Sequence, residues 1–431
     1  MRQTFLKITV FLLFLGSLLP TSPAKAIVYF DITSADLRKL PVAVPYFVNK
    51  YHPDKITNKG RKMADLLGRA LYLHGFISIV PPSVYNYDRG TDWKEAGADF
   101  VILGGYGTDK KSDMVLEMRL IDTSDNRMVL GKRYRAPWSK NSDMIRKFCD
   151  EVISQLTGTQ GISNTDIAFV SDKSGYKEVY VADVLGEHVR QVTHHHNITV
   201  SPRFSPDGTK LAYTSYHRGN PDLYITSLKQ SKTTKAISWR KGLNMAPAWS
   251  PDGKTMVITL SKDGNPDLFL MTPKGHIIRR LTKNAGINVS ATWAPDGRRF
   301  AFVSDRSGTP QIYIMDLKTS ATRRLTYEGQ ENTTPNWSPN GELIAYTGRV
   351  GSTHQIFIIS ADGGQPTQLT QYWGDYESPS WSPDSRQLVF SRSRNGKYKL
   401  CRMFIKGQGV IPMFPIKGNQ RFPQWSPRLK Y

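Results

Sequence analysis

Two groups of residues in this chain have types and spacings that could do chemistry. His194, His195 and His196 stand side by side, and three imidazoles are a metal-binding inventory. Asp207, Asp252, Asp296 and Asp384 recur at the same place in four of the repeats and offer the carboxylates a general acid–base site would use. Neither pattern reads as a catalytic centre. Adjacent histidines on an extended loop point in different directions and cannot all meet one ion. Each aspartate follows a proline in a turn phrase, where its short side chain caps the turn's own backbone. The chain contains no Gly-x-Ser-x-Gly elbow, no Gly-x4-Gly-Lys loop, no His-Glu-x2-His and no Cys-x2-Cys. The reading is therefore no catalytic residue, no cofactor and no metal.

The turn phrase itself is the larger signal. It appears as Phe204-Ser205-Pro206-Asp207-Gly208, Trp249-Ser-Pro-Asp-Gly253, Trp293-Ala-Pro-Asp-Gly297, Trp337-Ser-Pro-Asn-Gly341, Trp381-Ser-Pro-Asp-Ser385 and Trp425-Ser426-Pro427. The aromatics are 45 residues apart once and then 44 apart four times. A period of that size with a fixed turn predicts a β-propeller with one four-stranded blade per repeat. After each turn comes an apolar run such as Leu211-Ala-Tyr213 or Phe300-Ala-Phe302, then a second such as Asp222-Leu-Tyr-Ile225. A more polar segment follows and ends in Arg-Leu-Thr or a similar triplet. The repeated tryptophan reads as a blade-packing residue.

The two ends of the repeat array are out of phase. Asp166-Ile-Ala-Phe-Val-Ser171 is a second-strand phrase with no first strand before it, and Trp425-Ser-Pro427 is a first-strand phrase with nothing after it. The count closes at six blades if the C-terminal strand joins the blade begun at Asp166, which also removes an exposed strand edge.

Residues 27–157 have a different grammar. Met63, Leu66, Leu67, Ala70 and Leu71 recur at helical spacing and stop at Gly75, and Ile145, Phe148, Val152 and Leu156 do the same before Gly158. Asp92 is placed to cap a short helix. Alternating Met114, Leu116, Met118 and Leu120 mark a strand. The fold class expected is two-domain: an N-terminal α/β domain over 27–157, a linker over 158–165, and a C-terminal six-bladed all-β propeller over 166–431. Residues 1–26 read as a secretory signal: Arg2 and Lys7, an apolar stretch over 8–19, and the small-x-small site Ala24-Lys25-Ala26. No later stretch is apolar enough to span a membrane.

The formal charge is +22, and the residues from 166 onward carry +15 of it. This fits either attraction to an anionic partner or a solvated basic exterior. The basic residues are dispersed, and the export signal speaks against nucleic acid. Cys149 and Cys401 are the two cysteines. They read as lone buried thiols, with a disulfide between domains as the alternative in an oxidising compartment.

Taken together, the signal, the α/β domain and the repeats resemble the TolB family of the Tol-Pal envelope system. So do the segment Ile27-Val-Tyr-Phe-Asp-Ile-Thr33, Pro41-Val-Ala-Val-Pro-Tyr46 and the ending Phe422-Pro-Gln-Trp-Ser-Pro427. The resemblance covers essentially the whole chain. It implies a non-enzymatic periplasmic adaptor, a monomer within a hetero-complex, linking a TolA-like inner-membrane protein to a Pal-like lipoprotein. It further implies a role in outer-membrane integrity and constriction at cell division. The TolA-type strand maps to Ile27, Val28, Tyr29, Phe30, Asp31, Ile32 and Thr33, where strand addition is the expected mode. The Pal face maps to the channel mouth formed by the loops ahead of the aromatic strands: Asn197, Thr199, Asn244, Ala246, Asn288, Val289, Asn332, Thr333, Tyr376, Glu377, Arg421 and Phe422. Two departures stand out: Ala291 replaces the proline found two places before the other aromatics, and Val289 is apolar. The competing reading is an exported propeller enzyme, such as a lyase acting on an anionic polysaccharide.

Overall fold

In the computed structural model, residues 39–85, 90–229, 234–283, 285–407 and 409–430 are described. The signal over 1–26 and the segment 27–33 lie outside them.

Apolar residues three and four apart make Asn58–Tyr72 a helix, α1, and Thr57 starts it by accepting a hydrogen bond from Gly60 N on its hydroxyl at 2.9 Å. Helix α2, Asn141–Thr157, ends where Gly158 turns to φ 71°. The front sheet is built from β1 (Leu40–Ala43), β2 (Val48–Asn49), β3 (Ile77–Ile79), β4 (Phe100–Thr108), β5 (Met114–Asp122) and β6 (Arg127–Ala136). Its order is β3-β1-β4-β5-β6, with β2 beside β4. The short strands pair in parallel and β4, β5 and β6 pair antiparallel. One core joins both helices to the sheet through Leu67, Leu71, Ile102, Leu116, Met118 and Phe148. Asp92 caps a turn rather than the expected short helix, with its carboxylate accepting from Lys94 N and Glu95 N at 3.0 and 3.1 Å. Gly97 at φ 75° ends that segment before a helix can propagate.

The second half forms six four-stranded sheets. Blade 1 is Thr199–Phe204, Lys210–Ser215, Asp222–Ser227 and Thr234–Ser238. Blades 2 to 5 open with Asn244–Trp249, Asn288–Trp293, Asn332–Trp337 and Asp375–Trp381. Blade 6 takes its first strand, Gln420–Trp425, from the C-terminal end and its other three, Asp166–Ser171, Glu178–Asp183 and Val189–Gln191, from the start of the propeller. Trp425 stands opposite Ile167 in that pairing. The ring closes as the phase of the repeats requires.

First strands pack beside one another around a central channel. Phe204, Trp293, Trp337, Trp381 and Trp425 are buried between blades. Trp293 and Trp381 each donate an indole N–H to the preceding blade, to Ala248 O at 3.0 Å and Asn336 O at 2.9 Å. The aspartates of the turns act as caps. Asp207 accepts from Ser205 Oγ at 2.6 Å and Thr209 N at 3.0 Å, and Asp252 repeats this with Ser250 and Lys254. Cys149 and Cys401 are both free and buried.

Candidate docking face of the propeller

The channel has two mouths, and the strand order tells them apart. One is built by the turns after each aromatic, the other by the loops that lead into each first strand. The front domain is fixed beside the first, on blades 5 and 6. Gln387 Nε2 and Arg386 Nη1, just past the turn of blade 5, donate to the carbonyls of Leu73 and His74 at 2.9 and 3.3 Å, closing the C-terminal end of α1. Residues 158–165 are not a loose tether. Ile162, Ser163 and Thr165 are fully buried, and Asp150 of α2 accepts from Ser163 N and Asn164 N at 2.8 and 3.2 Å. Arg428 donates to Gly161 O and Gln160 O at 3.0 and 2.9 Å. His74 is buried at the same joint: its Nδ1 lies 3.0 Å from Ala70 O and its Nε2 accepts from Ile162 N at 3.1 Å.

The other mouth carries a sixfold irregularity. Every first strand slips register: between Val200 and Arg203, Met245 and Ala248, Val289 and Thr292, Thr333 and Asn336, Glu377 and Ser380, and Arg421 and Gln424. Inside each slip one residue adopts a left-handed backbone: Ser201 at φ 54°, Ala246 at 51°, Ser290 at 56°, Thr334 at 48°, Ser378 at 58° and Phe422 at 52°. None is glycine. The left-handed region costs an L-residue roughly 1–2 kcal/mol, and such strain persists only where surrounding structure over-determines it. A bulge also bends its strand and re-aims its side chains. Here it presents a ring of two-residue steps around the channel.

The residues expected at this face divide into two sets. Ala246, Val289, Thr333, Glu377, Arg421 and Phe422 lie on the ring, half-buried. Arg421 places its guanidinium 3.2 Å from the centre of the Tyr398 ring. Burial holds the Glu377 carboxyl above the usual carboxylate range, and His354 Nδ1 lies 3.7 Å away. The second set, Thr199, Asn244, Asn288, Asn332 and Tyr376, is buried just below. Asn332 donates to Gln311 Oε1 and Glu328 O at 2.8 and 2.7 Å, and Asn288 donates to Gly286 O at 2.8 Å. Asn244 donates to Arg240 O at 2.7 Å. Their amides are spent on the protein's own loops and set the loop shape. Asn197 is half-buried and donates to Tyr216 O at 2.9 Å.

The same loops carry large exposed apolar groups that were not singled out from the sequence. Trp239, Tyr327, Tyr372 and Trp373 are each more than half exposed, at 63%, 72%, 55% and 63%. Arg324 stacks 4.8 Å from the centre of the Tyr327 ring and Arg394 5.8 Å from Trp373. Aromatic and arginine side chains are the groups enriched where partners bind. The missed signal was positional: each aromatic stands in the short loop between the outer strand of one blade and the first strand of the next.

The three adjacent histidines diverge. His195 Nδ1 lies 2.6 Å from Ser215 Oγ, His196 uses its backbone N–H on Glu178 Oε1 at 2.7 Å, and His194 is exposed.

These features define a class: an α/β domain fixed to one face of a closed six-bladed propeller, with a strained, aromatic-rimmed mouth on the other. Residues 153–429 match the family model of the TolB beta propeller domain, and the chain belongs to that family. A Tol-Pal system protein TolB from Desulfotalea psychrophila is 46% identical over 217 residues, which is 50% of this chain and 49% of that protein. One from Desulfosudis oleivorans is 38% identical over 267 residues, 59% of this chain and 60% of that one. The chain thus spans about half the length of the curated relatives it matches. The crystal structure of TolB from Acinetobacter baumannii superposes with a TM-score of 0.79 at 28% identity, over 90% of this chain and 97% of that one. Among the described residues no helix is long and apolar enough to cross a membrane.

Proposed function

We propose that this chain is a non-enzymatic periplasmic adaptor of the Tol-Pal system. It would bind a Pal-like lipoprotein at the loop-side mouth of the propeller and a TolA-like inner-membrane protein through residues 27–33. It would thereby support outer-membrane integrity and constriction at division. The observation that carries this reading is the ring of six left-handed residues at Ser201, Ala246, Ser290, Thr334, Ser378 and Phe422, on the face the front domain leaves open. A rigid, pre-shaped rim lowers the ordering cost of association. The exposed Trp239, Tyr327, Tyr372 and Trp373 around it supply the apolar anchors that a protein partner would cover. The names of the relatives support the choice of system.

The lyase reading finds less support. It needs a base poised at a channel mouth. Near the histidine loop, Tyr213 is fully buried and burial pushes its phenol up to about 12. His195, next to it, has both ring nitrogens taken up within the blade, Nδ1 2.6 Å from Ser215 Oγ and Nε2 3.4 Å from the Tyr213 hydroxyl.

The test is binding of the purified periplasmic domain of a Pal-like lipoprotein at physiological salt. Saturable binding lost on substitution at the mouth supports the adaptor, and absence of binding overturns it. For residues 27–33, deletion should abolish affinity for a TolA-like C-terminal domain and leave the Pal-like interaction in place. Unchanged TolA-like affinity removes that half of the proposal.

A further inference from the structure

The blades repeat closely enough for a departure at one position to stand out. The residue before each aromatic of the first strand, at 203, 248, 292, 336, 380 and 424, lines the channel. Four of the six accept the backbone N–H of the next blade's aromatic. Thr292 Oγ1 takes Trp337 N at 3.2 Å, Asn336 Oδ1 takes Trp381 N at 2.9 Å, Ser380 Oγ takes Trp425 N at 3.0 Å and Gln424 Oε1 takes Phe204 N at 2.7 Å. Arg203 and Ala248, in adjacent blades, are the exceptions. Neither side chain has an acceptor to offer.

Arg203 instead places a cation in the channel wall. Its hydrogen bond is to the carbonyl of its neighbour Pro202, at 2.9 Å. Burial alone pulls its pKa down, to about 10, with no carboxylate acting against it. The cavity it faces, of about 410 Å3, has no aspartate or glutamate among its lining residues. The other cation there, Arg428, is taken up by the carbonyls of Gly161, Pro383 and Gln160 at 3.0, 3.2 and 2.9 Å. Gln424 and Asn336 must turn their amide oxygens to a backbone N–H, so each leaves an NH2 donor on the wall. Among the described residues the lining is thus rich in donors and free of acids. A half-buried guanidinium that lines the channel without a counter-charge is open to an anion, and a planar or tetrahedral oxyanion matches its fork.

We propose that this end of the channel is a binding site for a small oxyanion of the carboxylate or phosphate class. Arg203 is its primary ligand, and the amides of Gln424 and Asn336 are secondary donors. The small Ala248 beside Arg203 leaves the room such a group needs. The cavity lies at the front-domain end of the channel, so the occupant is a free solute rather than a side chain of a protein docked on the opposite face. The site is independent of the adaptor reading.

The experiment is calorimetric titration of the full chain with inorganic phosphate and, separately, with malonate, at constant ionic strength. Wild type, Arg203→Gln and Lys274→Gln are compared, the last removing an exposed charge from a turn away from the channel. Saturable binding of either anion to wild type is expected, with Arg203→Gln weaker by roughly tenfold or more and Lys274→Gln unchanged. Thermal melting gives a second readout. Without added anion, Arg203→Gln should melt above wild type, because its amide can accept Trp249 N–H as Gln424 accepts Phe204 N–H. Added anion should raise the melting temperature of wild type but not of Arg203→Gln. Absence of saturable binding to wild type, equal binding by Arg203→Gln, or an equal loss in Lys274→Gln overturns the site.

Discussion

The indole N–H of Trp425 donates to the hydroxyl of Thr165 at 2.8 Å, across 260 positions of chain. One contact therefore joins two devices. Trp425 ends the strand that closes the ring, and Thr165 ends the segment that joins the domains. Thr165 in turn donates to Ile162 O at 2.7 Å, and Ile162 N reaches His74 in the front domain. Ring closure and domain attachment share a single hydrogen-bonded path, so disturbing one disturbs the other.

Replacing Trp425 by Phe keeps most of the apolar burial and removes the donor. The expected cost is about 1–2 kcal/mol, read as a lower urea midpoint. Deleting residues 420–431 should do far more. It strips blade 6 of its first strand and exposes the edge of Asp166–Ser171, so the propeller should unfold or aggregate rather than lose one blade. A truncated chain with a wild-type melting curve would contradict the closure.

Asp166 sits beside this closure, its backbone paired with Ser426 in both directions at 2.8 and 2.9 Å. Burial raises its carboxyl to about 6, with Arg146 opposing. A folded-state pKa above the unfolded value means the native chain binds more protons between them. Stability should therefore fall as pH rises through that window and level off above pH 6. Asp166→Asn should stabilise the protein at pH 7.5 by on the order of 2 kcal/mol, and the gain should vanish towards pH 4. Denaturation of both proteins across pH 4–8 reads it directly. A gain that does not depend on pH would refute the cause.

His74 gives the opposite slope. Burial holds its pKa below the usual value, although Asp150 pulls the other way. The unfolded chain takes up the proton first, so this contribution is intact above pH 6.5 and is lost as pH falls through 6.5. A proton on Nε2 would also remove the acceptor for Ile162 N. His74→Gln should flatten this part of the pH profile relative to wild type and leave the blades intact by circular dichroism. A variant that keeps the wild-type slope would show that the histidine does not carry it.

The six left-handed residues give a conformational prediction. Ala246→Gly removes a Cβ at φ 51° and should stabilise the protein by up to about 1 kcal/mol, the relief of strain offset in part by the freer unfolded chain. A clear loss of stability would mean that the bulge is held by the methyl group itself.

Most of the architecture was legible because it repeats. The Trp-Ser-Pro-Asp-Gly phrase marks a turn by its chemistry and a blade by its period, and the phase mismatch at Asp166 and Trp425 is enough to deduce closure. The proposed docking ring was legible only in outline. The loops ahead of the aromatics could be found by counting, but Asn244, Asn288 and Asn332 look like free polar groups in a sequence. Only the fold shows their amides clasping Arg240, Gly286 and Glu328. The bulge was hidden for a different reason. Ser201, Ala246, Thr334, Ser378 and Phe422 each precede a proline, and that position is normally read as extended. Trp239 and Trp373 were passed over because, in a repeat full of packing aromatics, exposure depends on which end of a strand a residue occupies. Residues 158–165, rich in Gly, Ser and Thr, have a linker's composition, yet their burial comes from long-range partners such as Asp150, Arg428 and Trp425.

The docking face itself is tested most directly by titrating the periplasmic domain of a Pal-like lipoprotein into this chain at physiological salt. Wild type is compared with Val289→Arg on the ring and Lys254→Glu on the opposite face. A long cation among the half-buried steps should weaken binding by tenfold or more, and the change at Lys254 should leave it within twofold. No binding to wild type, or equal affinity of Val289→Arg and wild type, would contradict the assignment of this mouth as the partner's seat.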